Sequence, residues 1–218
     1  MNAHAYLEPP APPAERPAAE HLFNALAGTL PAEYTIDAYL TERRALQEAR
    51  WPAVPLMPGA ARLVQHLHAH GVPVALATGA HRASLAAKTA HLRAVFRCFE
   101  GRVVCADDAP GVRRSARGAL GLREEDGETR AGEGAGEEVD VEKGPLWARA
   151  MRGKPEPDVF LRAAGEVLGR DVGWGRVDGS EGVGITEAQK LERAKGLVFE
   201  DSVPGVRAAL AGGFNGES

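Results

Sequence analysis

The chain has 218 residues, of which 44% are hydrophobic, so it is long enough to bury one sizeable core. The formal net charge is −4 and no basic cluster is present, which argues against binding to nucleic acid or to an anionic lipid surface. The two cysteines, Cys98 and Cys105, match no zinc spacing and favour a reducing compartment. With no leader-like or membrane-spanning segment, the sequence predicts a cytoplasmic globular protein.

The first residues differ in composition from the rest of the chain. Residues 1–20 are rich in proline and alanine, and we expect them to form a disordered lead. Helical spacing begins at His21 and continues to about Trp51, with Leu22, Phe23 and Leu26 on one face of the first helix. Residues 21–55 are therefore expected to form two or three short helices.

From Pro58 onward, helical and strand-like segments alternate. Pro58-Gly59 precedes a helical pattern that ends at Gly71, and the apolar run from Val72 to Gly79 shows no alternation, which is typical of a strand inside a parallel sheet. The same order recurs along the chain, with helices expected at 84–95 and 158–168 and strands at 101–105 and 196–199. This order predicts an α/β fold, a Rossmannoid parallel sheet flanked by helices, with a disordered acidic insert at about 110–150.

Polar residues follow the predicted strands at the edge where open parallel sheets bind ligands. Thr78-Gly79 supplies a hydroxyl and a flexible backbone, and Glu200-Asp201 places two adjacent carboxylates after the last predicted strand. Adjacent acids at such an end are typical of a Mg²⁺ site, and the compact ammonium of Lys154, just before a helix, suits an anionic oxygen. Together these residues predict a site for phosphoryl transfer.

Each of these residues also has a simpler interpretation. Thr78-Gly79 is by itself most often a turn, Glu200-Asp201 with Ser202 could cap a helix, and Lys154 alone would be a solvated lysine. His66, His68 and His70 are best explained as a solvated helix face, and His81-Arg82 as a surface pair at a helix start rather than a substrate contact.

Three longer blocks carry a resemblance to a known family. They read LMPGAARLVQHLHAHGVPVALATG, GKPEPDVFLRAA and GLVFEDSVPGVRAALAGG. These blocks are similar to consecutive blocks of the haloacid dehalogenase superfamily, and more narrowly to its phosphatases with a helical cap, the pseudouridine-5'-phosphatase-like branch. The resemblance extends from about Leu22 to Gly213.

This resemblance implies roles for individual residues. Thr78 and Lys154 would be catalytic, Thr78, Gly79 and Lys154 would surround the phosphate, and Glu200 and Asp201 would hold Mg²⁺. Residues 21–55 would be part of the helical cap, which in this family closes over the substrate, and residues 56–218 would form the core. Asp158, which follows a proline, is expected to cap its helix rather than to react.

Two parts of the family pattern have no counterpart in the sequence. The nucleophile motif DxDGT, at the end of an N-terminal strand, is absent, and we expect the last core strand to be missing because the chain ends soon after Gly213. The first strand would lie between the strands that end at Thr78 and Glu200, so we expect a gap in the sheet and low stability. A truncated gene model, a splice form or a degenerate paralogue would each account for this.

Two classes of function follow. The first is a Mg²⁺-dependent phosphatase of small phosphorylated metabolites such as sugar or nucleoside monophosphates, inactive as written because the nucleophilic aspartate is absent. The alternative is a non-catalytic protein that binds a phosphorylated ligand, or a fragment without function. We expect a monomer whose partner is a small phosphorylated metabolite, with neither nucleic acid nor membrane as partner.

Overall fold

The computed structural model describes residues 15–31, 33–108, 151–180 and 184–217. The chain divides into two compact units, the first ending at Val54 and the second beginning at Pro55. The expected acidic insert at about 110–150 lies outside the described residues, apart from its flanks. No helix in the described ranges is long and apolar enough to cross a membrane.

The first unit is built from two helices. Helix α1 spans Glu15–Ala25 and helix α2 spans Ile36–Arg50, followed by a short 3₁₀ turn at Trp51–Ala53. The hydroxyl oxygen of Thr35 accepts a hydrogen bond from the Ala38 amide and so caps the start of α2. The two helices contact each other within this unit.

The prediction of a disordered lead over residues 1–20 is wrong for its last part, because α1 begins at Glu15. Pro17 is compatible with the helix since the first helical turn needs no amide donor there. Ala19 is buried, and Arg16 forms a 2.6 Å ion pair with Asp37 of α2. Residues 1–14 lie outside the described ranges.

The second unit alternates helices and strands, as the sequence predicts. Its elements in chain order are helix α3 (Ala60–Ala69), strand β1 (Leu76–Ala77), helices α4 (Arg82–Thr89) and α5 (Arg93–Phe96), a 3₁₀ turn at Arg97–Phe99, strand β2 (Val103–Val104), helix α6 (Asp158–Arg162) continued by a π-helical turn at Ala163–Val167, helix α7 (Glu187–Arg193), strand β3 (Leu197–Phe199), helix α8 (Val203–Gly212) and strand β4 (Asn215–Glu217). The α/β fold class is thereby confirmed. The helix predicted at 84–95 is broken, because α4 ends at Thr89 before α5 begins.

The strands form two separate parallel pairs. Strand β1 pairs with β2, with Leu76 opposite Val103, and β3 pairs with β4, with Leu197 opposite Asn215. Within the described residues each of the two sheets has two strands. The expectation that the last core strand is missing is therefore wrong, because β4 forms and pairs with β3.

The strand predicted from Val72 to Gly79 is shorter and more exposed than expected. Only Leu76 and Ala77 belong to the ladder, and Val72 is exposed. A long strand that is buried on both faces needs hydrogen-bonding neighbours on both edges, whereas β1 is paired only with β2 among the described strands. Ladder formation stops where that single partner ends.

One apolar cluster contacts both strand pairs. Its members are Val104, Val159, Phe160, Leu161, Ala163, Ala164, Val172, Ala208, Ala209 and Phe214, with Ala75, Ala77, Met151, Val167, Trp174 and Val198 packed against it. Because β1 contributes Ala77 and β3 contributes Val198, the carboxyl ends of the two strands are anchored to the same core.

Candidate functional site

Strand β1 ends in a tight turn at Thr78. The Thr78 amide donates to the Val104 carbonyl at 2.9 Å, and the Thr78 hydroxyl oxygen accepts from the Ala80 amide at 3.1 Å. The turn fixes the hydroxyl oxygen while leaving its hydrogen available to an acceptor. The space around Gly79 is open, since a Cβ added there would meet no atom within 4 Å. The turn interpretation of Thr78-Gly79 and a donor role for its hydroxyl are thus compatible.

Lys154 reaches the end of β3 from a loop 46 residues earlier in the chain. Its Nζ lies 2.5 Å from Glu200 Oε2, and the two side chains are only 19% and 10% exposed. The same ammonium lies 5.1 Å from the ring centroid of Phe160, a cation–π distance. Lys154 is therefore not a solvated surface lysine, and the simpler interpretation of this residue is wrong.

Glu200 is held at both carboxylate oxygens. Oε2 accepts from Lys154, and Oε1 accepts from the Ser202 hydroxyl at 2.7 Å. Burial by itself would raise the pKa of Glu200, but the hydrogen bonds from Lys154 and then from Ser202 outweigh burial and lower this pKa from its ordinary value. Glu200 is consequently a charged carboxylate at neutral pH.

The carboxylates after β3 differ in their surroundings. Asp201 is exposed and has no hydrogen-bonding or ion-pair partner among the described residues. Ser202 caps helix α8, because its oxygen accepts from the Gly205 amide at 3.2 Å. The helix-cap interpretation of this segment is thus correct for Ser202. Glu200 instead contacts Lys154 and the Ser202 hydroxyl, and Asp201 faces solvent.

The loop that carries Lys154 is held by an ion pair that the sequence did not reveal. Asp158 accepts from the Arg152 amide at 2.9 Å, from Arg152 Nε at 3.0 Å and from Arg152 Nη2 at 2.6 Å. Glu156 lies 3.5 Å from Arg152 and 3.4 Å from Arg176. These contacts bracket Lys154 on both sides, and the Lys154–Pro155 peptide bond between them is cis.

The expectation that Asp158 caps its own helix is wrong. The residue at the cap position is Pro157, and Asp158 is the first residue of α6, with its side chain turned to Arg152 instead of to the helix amides. In sequence a helix-capping aspartate and an aspartate paired with a nearby arginine look alike. The sequence feature that could have indicated the ion pair is the short distance between Arg152 and Asp158, which two prolines separate.

Of the residues predicted to form one site, the structure brings Lys154 and Glu200 into direct contact. The hydrogen bonds of Thr78 in the described structure go to Ala80 and Val104 and not to either of these residues, although Ala77 beside it shares the apolar cluster with Val198 of β3. The predicted convergence is seen for the lysine and the first acid, and for Thr78 it stays a prediction.

The remaining charged groups have other partners. Arg82 Nε and Nη2 contact the carboxylate of Asp108 at 2.5 and 2.6 Å, which supports a structural role at the start of α4 over a substrate contact. His66 on α3 and His70, the residue that follows this helix, are exposed, and their ring centroids lie 4.1 Å apart. The described part of the chain contains no group of three His, Cys, Asp or Glu side chains placed to hold a metal ion.

These features define a class of protein. An α/β unit has parallel strand pairs ending in a threonine and in two acids, with a lysine fixed against the first acid. This arrangement belongs to Rossmannoid enzymes and binding proteins whose sites lie at strand ends.

The family is shown by comparison with known proteins. The model of the haloacid dehalogenase-like hydrolases matches residues 14–122, half of the chain. The chain belongs to the haloacid dehalogenase-like hydrolase family.

Relatives with stated activities differ in what they act on. The chain is 30% identical to (DL)-glycerol-3-phosphatase 2 of Arabidopsis thaliana, over 81% of this chain and 49% of that protein. It is 29% identical to a probable pseudouridine-5'-phosphatase of Drosophila melanogaster, over 82% and 52%. It is 28% identical to the bifunctional riboflavin kinase/FMN phosphatase of Arabidopsis thaliana, over 82% and 30%. The chain thus spans about half the length, or less, of these relatives.

Proposed function

We propose that the second unit forms the phosphoryl-binding part of a Mg²⁺-dependent phosphatase acting on small phosphorylated metabolites. The observation that carries this proposal is the contact of Lys154 with Glu200, which joins a loop and a strand end 46 residues apart. A partly buried cation fixed against Glu200, the first of two adjacent acids at a strand end, suits a dianionic phosphate and its metal ion. The relatives' names, which include glycerol-3-phosphatase and FMN phosphatase, support a small phosphorylated substrate.

The proposed roles follow from the chemistry of each group. The Thr78 hydroxyl and the Gly79 amide donate hydrogen bonds to phosphoryl oxygens. Lys154, held at the site by Glu200, neutralises charge on the phosphate. A bound phosphate would be a second hydrogen-bond acceptor for the Lys154 ammonium, which already donates to Glu200.

Glu200 and Asp201 would hold the metal ion. Their oxygens are the ligands that Mg²⁺ prefers, and the ion would supply neutralisation of the phosphoryl charge. Lys154 and Ser202 each use one lone pair on a different oxygen of Glu200, so each oxygen keeps a second lone pair for the metal. Asp201, exposed and unpaired among the described residues, is the more open of the two ligands.

We expect little turnover because the nucleophile motif of the family does not occur in this sequence. The sequence contains no DxDGT motif, and attack through an aspartyl intermediate needs that carboxylate. The two strand pairs support a position between β1 and β3 for the strand that carries the family's nucleophile, since β1 and β3 each have one paired edge among the described residues. The helices of the first unit support its proposed place in a helical cap. The cytoplasmic location and the monomeric state remain predictions.

A second function has its own support. The Lys154–Glu200–Ser202 arrangement is formed in a chain without the nucleophile motif, so a protein that binds a phosphorylated ligand without hydrolysing it fits the same geometry. Both functions require phosphate binding, and they differ in turnover.

Thermal unfolding of the intact 218-residue chain tests the shared requirement. Inorganic phosphate with Mg²⁺ should raise the melting temperature of the wild-type protein. At a ligand concentration of 100 Kd, binding should increase the free energy of unfolding by about 2.7 kcal/mol. Lys154→Met should abolish the shift because the variant removes the ammonium. Lys195→Met, which alters an exposed lysine paired with Glu192, is the matched control and should retain the shift.

Hydrolysis of p-nitrophenyl phosphate with Mg²⁺ separates the two functions. The proposal predicts negligible turnover for this chain and no acid-labile phosphoenzyme. A burst of phosphoenzyme would contradict the predicted inactivity, and the absence of any melting shift with phosphate would contradict phosphate binding itself.

A further inference from the structure

The side chain of Glu200 lies against the backbone of helix α8 at one residue. A Cβ added to Gly205 would overlap the Cγ, Cδ and Oε1 atoms of Glu200, all closer than the 3.0 Å that real Cβ contacts respect. Gly205 is buried, and its backbone does not have the positive φ that requires glycine for conformational reasons. The need for glycine here is therefore steric.

The same residue takes part in the hydrogen bonds that orient Glu200. The Gly205 amide donates to the Ser202 oxygen at 3.2 Å, and the Ser202 hydroxyl donates to Glu200 Oε1 at 2.7 Å. The other oxygen of Glu200 faces Lys154. The carboxylate thus lies in a space bounded by the first turn of α8 on one side and by the lysine on the other.

We propose that Gly205 is a positioning residue of the site, whose missing side chain lets Glu200 lie between Ser202 and Lys154. This inference rests on the proposed function for its consequence in ligand binding, but its steric part stands on the contacts alone. Any side chain at position 205 would push Glu200 away from α8 and separate it from Lys154.

A mutational cycle on the stability of the intact chain tests the steric part. Gly205→Ala should raise the unfolding equilibrium constant about tenfold or more, because either the helix or Glu200 must move. In the Glu200→Ala background the overlapping atoms are gone, so adding Ala at 205 should have no cost, and should stabilise because alanine favours a helix more than glycine does. Gly165→Ala is the control, since its added Cβ would lie 3.6 Å from Val172, an ordinary contact.

The energetic coupling between Lys154 and Glu200 gives a reading that a purely structural glycine would not change. In the wild-type background Lys154→Met and Glu200→Ala break the same contact, so the costs of the two single variants should not add up in the double variant. Gly205→Ala should remove this coupling because it separates the two side chains, while Gly165→Ala should keep it. An unchanged coupling in the Gly205→Ala background would overturn the proposal.

Folding and function can be told apart in the same set of variants. If Gly205→Ala does not fold, the double variant with Glu200→Ala decides: cooperative unfolding supports the steric coupling, and failure to fold overturns it. The melting shift with phosphate and Mg²⁺ should be lost equally in Gly205→Ala and in Glu200→Ala. Should the wild type show no shift, the proposed function fails while the stability cycle still tests Gly205.

Discussion

Lys154 and Glu200 form the contact on which the site depends, and the chemistry of the pair is that of two partly buried opposite charges. Each charge loses water in the folded protein, so the pair is stable only because each is hydrogen-bonded to the other, and Glu200 also to Ser202. The sequence predicted which residues belong to the site, since their types and order are local information. It did not predict that the lysine would bind the acid directly, because this depends on the packing of segments 46 residues apart.

Removing the lysine charge should show its effect mainly above the ordinary pKa of the acid. At pH 7, Lys154→Met should lower the free energy of unfolding by about 2 kcal/mol, between the values for exposed and buried pairs. The deficit should shrink as the pH falls below 4.5, because protonation of Glu200 removes the charge that the lysine stabilises. Urea unfolding at a series of pH values measures this. An equal deficit at pH 3 and pH 7 would show that lost packing, rather than the ion pair, is responsible.

At the scale of elements, some helix ends carry a local sequence pattern, whereas the tertiary contacts do not. Helix α7 begins with a capping box of Thr186 and Gln189. Helix α8 ends at Gly213, whose φ of 79° is the left-handed cap that glycine permits. Arg193 has no such local pattern, yet it is fully buried and joins three segments.

Replacement of Arg193 should loosen the elements around β3 together. Its Nε donates to Val172 O at 2.6 Å, and its Nη1 donates to Gly175 O at 2.8 Å and to Gly212 O at 3.1 Å. Arg193→Met leaves these buried carbonyls unpaired and should lower the free energy of unfolding by about 3 kcal/mol, measured in urea. Arg207→Met, on the exposed face of α8, is the control and should change stability little. Similar stability in both variants would show that the carbonyls find water or other donors.

At the scale of the whole molecule, the second unit has a covered core but a divided sheet. Leu197 and Phe199, on one face of β3, are 52% and 57% exposed, while Val198 between them packs on the core. The sequence predicted the α/β order correctly, because hydrophobic periodicity is local. It overestimated the length of β1, because apolar residues form a long strand only where partners lie on both edges, and partners are a property of the assembled sheet.

The two cysteines report whether this core is closed in solution. Both lie in the second unit and are buried, Cys105 with no exposed surface, and burial raises the pKa of the Cys105 thiol to about 11 although nearby Arg82 opposes the shift. A buried thiol with so high a pKa reacts with a disulfide reagent only when the protein opens, since the thiolate is the nucleophile. Native protein at pH 8 should therefore label slowly, and urea should release both thiols at the unfolding transition. Cys98→Ser isolates Cys105, which should be the slower of the two. Immediate labelling of Cys105 in native protein would contradict this prediction and would mean that the divided sheet leaves the core around β2 open in solution.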